Sequence, residues 1–471
     1  MIISNSLLFK FFKFKNSLFL LLYYIVITNI PLLILTWYLN ASRPIIVLDY
    51  VLIFPLMFFF ENKFFRILFI ILFILVYIVD CLIWVRQFFP FMRFEDILTL
   101  SQMLFDGPNI YKILIFTSLI LFFLQNLILF KLAKKINIPE KKIGIVAGII
   151  LIIILYCNLP ANKDVGMYET KGWINSQVLY VYRLKDNLLY NMLSWQANLV
   201  SSPFIPASYS WWPDKKLKHD MSKKTLLIVH ESWGYSNNST LNKEILQKFI
   251  VKKDNFVYFE SGHISALGAT IDGELRELCQ LKSTNFNLKS IKNGFEECLP
   301  NQLKRRGYET YAFHSASSTI YDRSYWYKKV GFEKSTFFEN VKNPILCYSF
   351  YGNCDSNLFS TVGGIFRKSN KSFVYWLTLN SHYPYDLKDL KLKPRINCIK
   401  YNMLLGSEEC RNVQLTTQFI DQLAEMTSDI SMKGVEVILV GDHEPPIFHK
   451  SKNYKIFKEN SVSWIHFKVK T

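Results

Sequence analysis

Three places in the chain carry side chains suited to chemistry on a phosphate. Asp442 and His443 adjoin in VGDHEPP, a carboxylate and an imidazole that a sharp turn enforced by Pro445 and Pro446 can present to one cation. Glu231 stands in IVHES. Thr270 stands in SGHISALGATIDGELREL, where Gly268 and Thr270 precede an amphipathic stretch bearing Glu274, Leu275 and Leu278. The hydroxyl thus falls at or near a helix N-terminus, where the dipole and free N–H groups favour an alkoxide and a bound phosphate. Singly these signals are weak, because most Asp-His pairs are surface turns and most threonines so placed are caps. Together they form a set: hard oxygens from Glu231 and Asp442 and a nitrogen from His443 suit a divalent cation, Zn or Mn with Mg admitted and Ca less so. A hydroxyl beside such a cation loses its proton more readily and becomes a nucleophile.

The elements that must position these groups read as strands. TLLIVHES (225 to 232) is an apolar run that turns polar only at its carboxyl end, the pattern of a buried parallel strand. The same design recurs in FVYFES (256 to 261), ETYAFHS (309 to 315), FVYWLTLNSH (373 to 382) and EVILVGDH (436 to 443). Open α/β sheets bind ligands beyond the carboxyl ends of their strands, so these five tips are expected to converge on one site. The fold class this implies is an α/β domain with a mostly parallel sheet sandwiched by helices.

Composition splits the chain in two. The first third is rich in Phe, Leu and Ile with few acidic residues, and the remainder has the charge balance of a soluble domain. About five segments are long and apolar enough to cross a bilayer, at roughly 17 to 39, 44 to 61, 64 to 84, 112 to 133 and 142 to 159, which predicts a polytopic helical membrane domain over 1–160. Basic residues at Lys10, Lys13, Lys15, Lys63, Arg66, Lys131, Lys134, Lys135, Lys141 and Lys142 then fall on one side, the cytoplasm, leaving the chain after about residue 160 outside it. The first apolar run could be a signal peptide, but no small-residue cleavage site follows, so it reads as a retained anchor. Residues 161–222 read as amphipathic interfacial helices and a linker, and 223–471 as the extracytoplasmic domain. The expected location is a bacterial inner membrane, multi-pass. The net charge of +18 brings no nucleic-acid motif with it and is better read as a basic face toward anionic lipid.

Cys81 and Cys157 lie in apolar runs, while Cys279 and Cys298, Cys347 and Cys354, Cys398 and Cys410 form sequential near pairs in the second part. That arrangement suits three local disulfides, although six cysteines permit 15 connectivities. A zinc cluster is the competing reading, weakened by the lack of CxxC spacing.

From residue 223 to about 449 the sequence resembles the alkaline phosphatase and sulfatase superfamily, through IVHES, GATIDGE, FHSASSTIYDRSYWYKKVGF, LTLNSHYPY and VGDHEPP in that order. It is most similar to the membrane-anchored phosphoethanolamine and phosphoglycerol transferases, lipoteichoic acid synthase among them. The resemblance implies that Glu231, Thr270, Asp442 and His443 are metal ligands, with Thr270 also the nucleophile. It further implies that His314, Tyr321, Arg323 and His382 contact phosphoryl and head groups. His382 would protonate the departing alcohol or orient the phosphate. Arg323 offers a planar fork to phosphoryl oxygens, or else forms a structural ion pair with Asp322. His263 and His449 rank lower, since neither sits at a clear strand end. The exported disulfides and five spans look more like the phosphoethanolamine enzymes, whereas Ile271-Asp272-Gly273 after Thr270 looks more like the phosphoglycerol branch.

The expected reaction is ping-pong. Thr270 attacks a phospholipid head group, diacylglycerol leaves, and a hydroxyl of an envelope glycolipid or glycan takes the group from phosphothreonine. A sulfatase-type hydrolase is disfavoured because Thr270 lacks the C/S-x-P-x-R context, and a silent membrane scaffold because all four ligand positions are kept.

Overall fold

The computed structural model describes residues 17–38, 43–59, 62–88, 109–133, 174–178, 197–210, 212, 216–218, 221–447 and 456–471. The chain forms two compact units, one drawn from Met1–Met92 with Asn109–Met192 and the other from Arg93–Pro108 with Leu193–Thr471.

The first unit corrects the expectation of a polytopic, multi-pass domain. Among the described residues only Lys63–Ile83, within the helix Lys63–Phe88, is long and apolar enough to cross a membrane, while Leu22–Trp37 and Phe116–Lys131 are shorter apolar stretches. The segment read as a second span is broken: a two-residue strand β1 (Ile46–Val47), a short helix Leu48–Ile53, then a 3-10 turn Phe54–Phe59 that contains Pro55. The stretch 142 to 159, residues 161–173 and 179–196 of the expected interfacial region and the basic cluster 134–142 lie outside the described residues. Without five spans the basic clusters no longer assign sides, so the multi-pass inner-membrane location falls and membrane association is what remains.

Polar groups organise this unit where hydropathy predicted only spans. β1 pairs in parallel with β2 (Ile174–Asn175), and Asp49 accepts the Ser176 hydroxyl and the Gln177 N–H, both at 2.6 Å. Arg43 lays Nε and Nη2 on buried Asp80, whose Oδ2 is 2.7 Å away and also accepts from Tyr50. An ion pair so buried is costly unless its remaining hydrogen bonds are made, and here Gln177 and Asn29 complete them.

The second unit begins with β3 (Leu199–Ser201), which pairs antiparallel with β7 (Leu281–Ser283). Among the described residues its main sheet has eight strands. They are β4 (Lys224–His230), β5 (Gly234–Ser236), β6 (Phe256–Ser265), β8 (Glu309–His314), β9 (Lys334–Thr336), β10 (Ser372–Leu377), β11 (Glu436–Gly441) and β12 (Phe457–Val469), in the order β5-β12-β11-β4-β10-β8-β9 with β6 also on β12. The run β11-β4-β10-β8-β9 is parallel, and β12 joins β11, β5 and β6 antiparallel. The sheet is therefore mixed, not mostly parallel. FVYFES is the misread strand: β6 pairs antiparallel with β12 and buries only Phe256, the rest being half-buried or exposed, so its tip does not join the others.

Alternation along the central strands divides two layers. Leu226 and Ile228, Val374 and Trp376, and Val437 and Leu439 face a core shared with Phe419 and Ile420 of the helix Glu408–Met426. Tyr375 points the other way, toward Glu274 of the helix Thr270–Cys279. Disulfides join Cys279–Cys298, Cys347–Cys354 and Cys398–Cys410, the near pairing that spacing suggested.

Two features of this unit have measurable consequences. A Cβ added to Gly273 would lie 2.7 Å from Asp442 Cα, a backbone contact that nothing can relieve cheaply, so only glycine lets this helix press on the end of β11. Gly273→Ala should cost about 1–3 kcal/mol. Gly364→Ala, in the helix Phe359–Lys368 with nothing within 4 Å, should raise the melting temperature instead, which makes it the control in thermal unfolding. Glu436 is the second. Burial works to raise its carboxyl, but hydrogen bonds from His466 at 2.8 Å, Tyr258 at 2.6 Å and Ser222 outweigh that and bring it down to about 2. Because its folded value is depressed, its contribution is complete above the ordinary carboxylate range and is lost as pH falls toward 2. Wild type should exceed Glu436→Gln by roughly 3 kcal/mol near neutrality, and the gap should close in acid unfolding curves.

Candidate active site

Parallel register builds the site. Gly441 pairs with His230, Leu377 pairs with Val229, and His314 pairs with Leu377, so β11, β4, β10 and β8 end side by side. The residues immediately beyond are Asp442 and His443, Glu231 and Ser232, and the loop from Thr378 to His382. Four tips converge, not five.

Thr270 enters from a helix lying across these ends. It is the first helical residue, with Ala269 in the N-cap position, and Asp272 accepts the Ala269 N–H at 3.0 Å. The Thr270 hydroxyl is therefore not the cap. Its Oγ1 lies 3.3 Å from Glu231 Oε2 and 3.5 Å from His443 Nε2. Three devices fix the helix there: Gly273 against Asp442, Arg276 donating to the carbonyls of Gly441 at 2.7 Å and Asp442 at 3.1 Å, and buried Glu274. Gly268, at φ +111°, makes the turn into it.

Glu231, Asp442 and His443 each present a ligand atom within 4.8 Å of the others. His443 Nε2 is 3.5 Å from Glu231 Oε1 and 3.3 Å from Asp442 Oδ2. His443 Nδ1 faces the Glu444 carbonyl at 2.9 Å, a contact only an N–H can make favourable, so in the neutral ring the Nε2 lone pair looks into the cluster. Asp442 Oδ1 accepts the N–H groups of Ser232 at 2.7 Å and His443 at 2.6 Å, while buried Oδ2 has no hydrogen bond. Burial, then the charge of Glu231, pushes the Asp442 carboxyl up to about 7. Burial alone would lower His443, but Asp442 and Glu231 outweigh it and raise it. Both shifts say that the cluster wants positive charge. An orphaned buried carboxylate oxygen, a second carboxylate and an inward imidazole fit a divalent cation held by Glu231, Asp442 and His443 with Thr270 adjoining.

The other expected residues are placed less uniformly. His382 follows β10; its Nδ1 donates to the Tyr383 carbonyl at 2.6 Å, and burial brings the ring down to about 4, so it is neutral and its Nε2 is an acceptor. The charges of His443 and Asp442 act on it. His314, at the tip of β8, is lowered well below the ordinary value by burial and then by Arg323. Arg323 is buried with Nε and Nη2 on Glu274 Oε2 at 3.0 and 2.9 Å and Nη1 on the Ile320 carbonyl. The ion pair is real, but its partner is Glu274, which also accepts from Tyr327 and Tyr375, and not neighbouring Asp322. Tyr321 is buried at φ +55° beneath the Arg323 guanidinium, 5.1 Å from ring centre. His263 stacks on Tyr235 at 4.2 Å, and His449 lies outside the described residues.

Sequence reasoning missed several supports. Ser232, held at φ +56°, donates its N–H to Asp442 and its hydroxyl to Glu231 Oε1 at 2.8 Å, joining the two carboxylates. Thr378 accepts the Glu231 N–H at 2.9 Å, and Ser381 donates to the Glu231 carbonyl at 2.6 Å. Fully buried His230, which burial lowers to about 3, contacts both hydroxyls. A run of hydroxyls and histidines at the tips was the available signal.

No curated protein matches the sequence. Among solved structures, the lipoteichoic acid synthase LtaP from Listeria monocytogenes is similar at 14% identity and a TM-score of 0.37, over 52% of this chain and 65% of that one. The chain thus spans less than two thirds of that structure's length. The Streptococcus pyogenes phosphoglycerol transferase GacH, in complex with sn-glycerol-1-phosphate, is similar at 15% identity and a TM-score of 0.36, over 53% of this chain and 69% of that one. The soluble domain of the lipooligosaccharide phosphoethanolamine transferase A from Neisseria meningitidis is similar at 15% identity and a TM-score of 0.36, over 57% and 81%. Residues 223–469, more than half of the chain and inclusive of Glu231, Thr270, Asp442 and His443, match the family model for sulfatases, and the chain belongs to that family.

Proposed function

We propose that this protein is a metal-dependent transferase that moves a phospholipid head group, phosphoethanolamine foremost, onto a hydroxyl of a cell-envelope glycolipid or glycan. One observation carries the reading: the Thr270 hydroxyl stands at a helix N-terminus within 3.5 Å of Glu231 and His443, beside a buried Asp442 oxygen without a hydrogen bond. A divalent cation, Zn or Mn with Mg admitted, would be held by Glu231, Asp442 and His443 and would supply positive charge that acidifies a hydroxyl and neutralises phosphoryl oxygens.

The chain's own groups supply the rest. Thr270 Oγ1 donates toward Glu231 Oε2, so its proton has an acceptor as the new O–P bond forms. The bond from phosphorus to the diacylglycerol oxygen breaks, and that oxygen leaves as the alcohol with a proton from solvent, Glu231 keeping the one taken from Thr270. In the second half the acceptor hydroxyl attacks the phosphothreonine. Neutral His382, with Nδ1 tied to Tyr383, offers Nε2 to that hydroxyl's proton and later releases it to solvent, and the Thr270 oxygen departs and regains its proton from Glu231. Arg323 acts at one remove, pinning Glu274 one turn beyond Thr270. A second reading, transfer of phosphoglycerol, is favoured by the resemblance of Ile271-Asp272-Gly273 to that branch, and the mass of the transferred group separates the two.

Thr270→Ala should abolish head-group release from a labelled phospholipid by several orders of magnitude and leave folding intact, since nucleophile and pocket act as one unit. Thr270→Ser should retain part of the turnover because the hydroxyl survives. Intact mass of the peptide spanning 262–276 should show a phosphorylated threonine in wild type only; near wild-type release by the alanine variant would sink the mechanism. Dialysis against a chelator should abolish release, and added Zn or Mn should restore it. Full activity in metal-depleted protein, checked by elemental analysis, would remove the cation from the reaction.

A further inference from the structure

The loop closed by the Cys398–Cys410 disulfide carries an apolar tip that no part of the described chain covers. Leu404 is 78% exposed, Leu405 71% and Ile399 63%. Burial of leucines is the norm, so two adjacent ones held almost wholly in solvent ask for a partner. The tip is held firmly. The disulfide closes its base, Gly406 turns the chain at φ +76°, and Ser407 caps the helix Glu408–Met426 by accepting the Cys410 N–H.

The same helix start ties the tip to the candidate site. Arg411 donates to the Gly406 carbonyl at 3.0 Å and to the Pro384 carbonyl at 3.2 Å, two residues after His382. Asn412 donates to the Ser232 carbonyl at 3.0 Å, next to Glu231. The apolar tip therefore projects at the end of the sheet where β4 and β10 deliver those residues. The strap leading to it is basic on balance at its surface: Lys388, Lys391, Lys393 and Lys400 are exposed, whereas Asp389 and Glu408 are buried and Asp386 and Glu409 half-buried. Lys400 pairs with Glu244 at 2.6 Å and keeps half its side chain in solvent.

We infer that the 398–410 loop is a membrane-docking prong, laying Leu404 and Leu405 among the acyl chains of an anionic phospholipid bilayer while the neighbouring lysines meet its head groups. Exposed leucines flanked by lysine are the chemistry of an interfacial anchor, and the basic strap complements anionic lipid where it would not complement a basic protein surface. The inference rests on the proposal that the donor is a phospholipid, because docking here would bring the Thr270 side of the sheet to the plane of the head groups.

The test uses the full chain in vesicles of phosphatidylethanolamine and phosphatidylglycerol containing a lipid with a photoreactive acyl chain. Peptides containing Leu404 and Leu405 should be labelled by lipid on illumination. The double variant Leu404→Ser, Leu405→Ser touches no buried contact; it should lose that labelling and lose about tenfold in turnover of vesicle lipid, with turnover of a water-soluble phosphodiester unchanged. A wild-type loop that takes no lipid label overturns the inference. So does a variant with undiminished turnover of vesicle lipid. Loop labelling is read without activity, so an unlabelled loop in a protein that still forms phosphothreonine refutes the docking alone. A labelled loop with Thr270-independent turnover refutes the proposed reaction alone.

Discussion

Two carboxylates brought together out of water at the ends of adjacent parallel strands are the constraint on which the second unit depends. Glu231 and Asp442 follow β4 and β11, whose register leaves them no choice but proximity. Like charges in a buried place repel, and the molecule relieves this with local donors: the Ser232 N–H and hydroxyl, the His443 N–H, and the imidazole lying between them. The relief is incomplete, since one oxygen of Asp442 has no hydrogen bond and its carboxyl rises to about 7. Two buried carboxylates and an inward imidazole so arranged are a set that could hold a cation. Ser232, held at φ +56°, is the residue that serves both acids.

The helix that bears Thr270 is fitted to this charge and not merely packed near it. Gly273 removes the side chain that would hold the helix away from Asp442. Arg276 spends its fork on the carbonyls at the end of β11, which fixes strand and helix as one body. Glu274 is locked from the other side by Arg323, Tyr327 and Tyr375. A buried arginine on a buried glutamate is a poor source of net stability, but its geometry is specific, and here it sets the axial position of a helix whose first residue must meet Glu231 within hydrogen-bonding distance. Of the two readings its residue type allowed, a fork for phosphoryl oxygens or an ion pair, the geometry displays the ion pair, with Glu274 as its partner.

In the first unit the same physics gives a different outcome. A run of apolar residues is compatible with a membrane span, with a short helix and with a turn, and hydropathy does not choose among them. Asp49 and Asp80 do, because each must be satisfied once buried. Asp49 captures the Ser176 hydroxyl and the N–H groups of Gln177 and Val178, and Asp80 captures Arg43, so the chain between them bends where a span had been expected.

What the sequence determined by itself was the local chemistry. Strand tips ending on His230-Glu231, His314, His382 and Asp442-His443, a glycine-led helix start at Thr270 and three near pairs of cysteines were all legible, since each depends on residues close in the chain. Tertiary structure decided the rest. That β6 runs antiparallel on β12, that Arg323 belongs to Glu274, 49 positions away, and that Ser232, Thr378 and Ser381 brace the site all depend on pairings across long separations. Local pattern is blind to them for a physical reason. An alternating strand carries the same side chains whichever neighbour it finds, and a buried charge announces only that it needs a partner; which partner it gets is settled when the strands choose their register and the helices close over them.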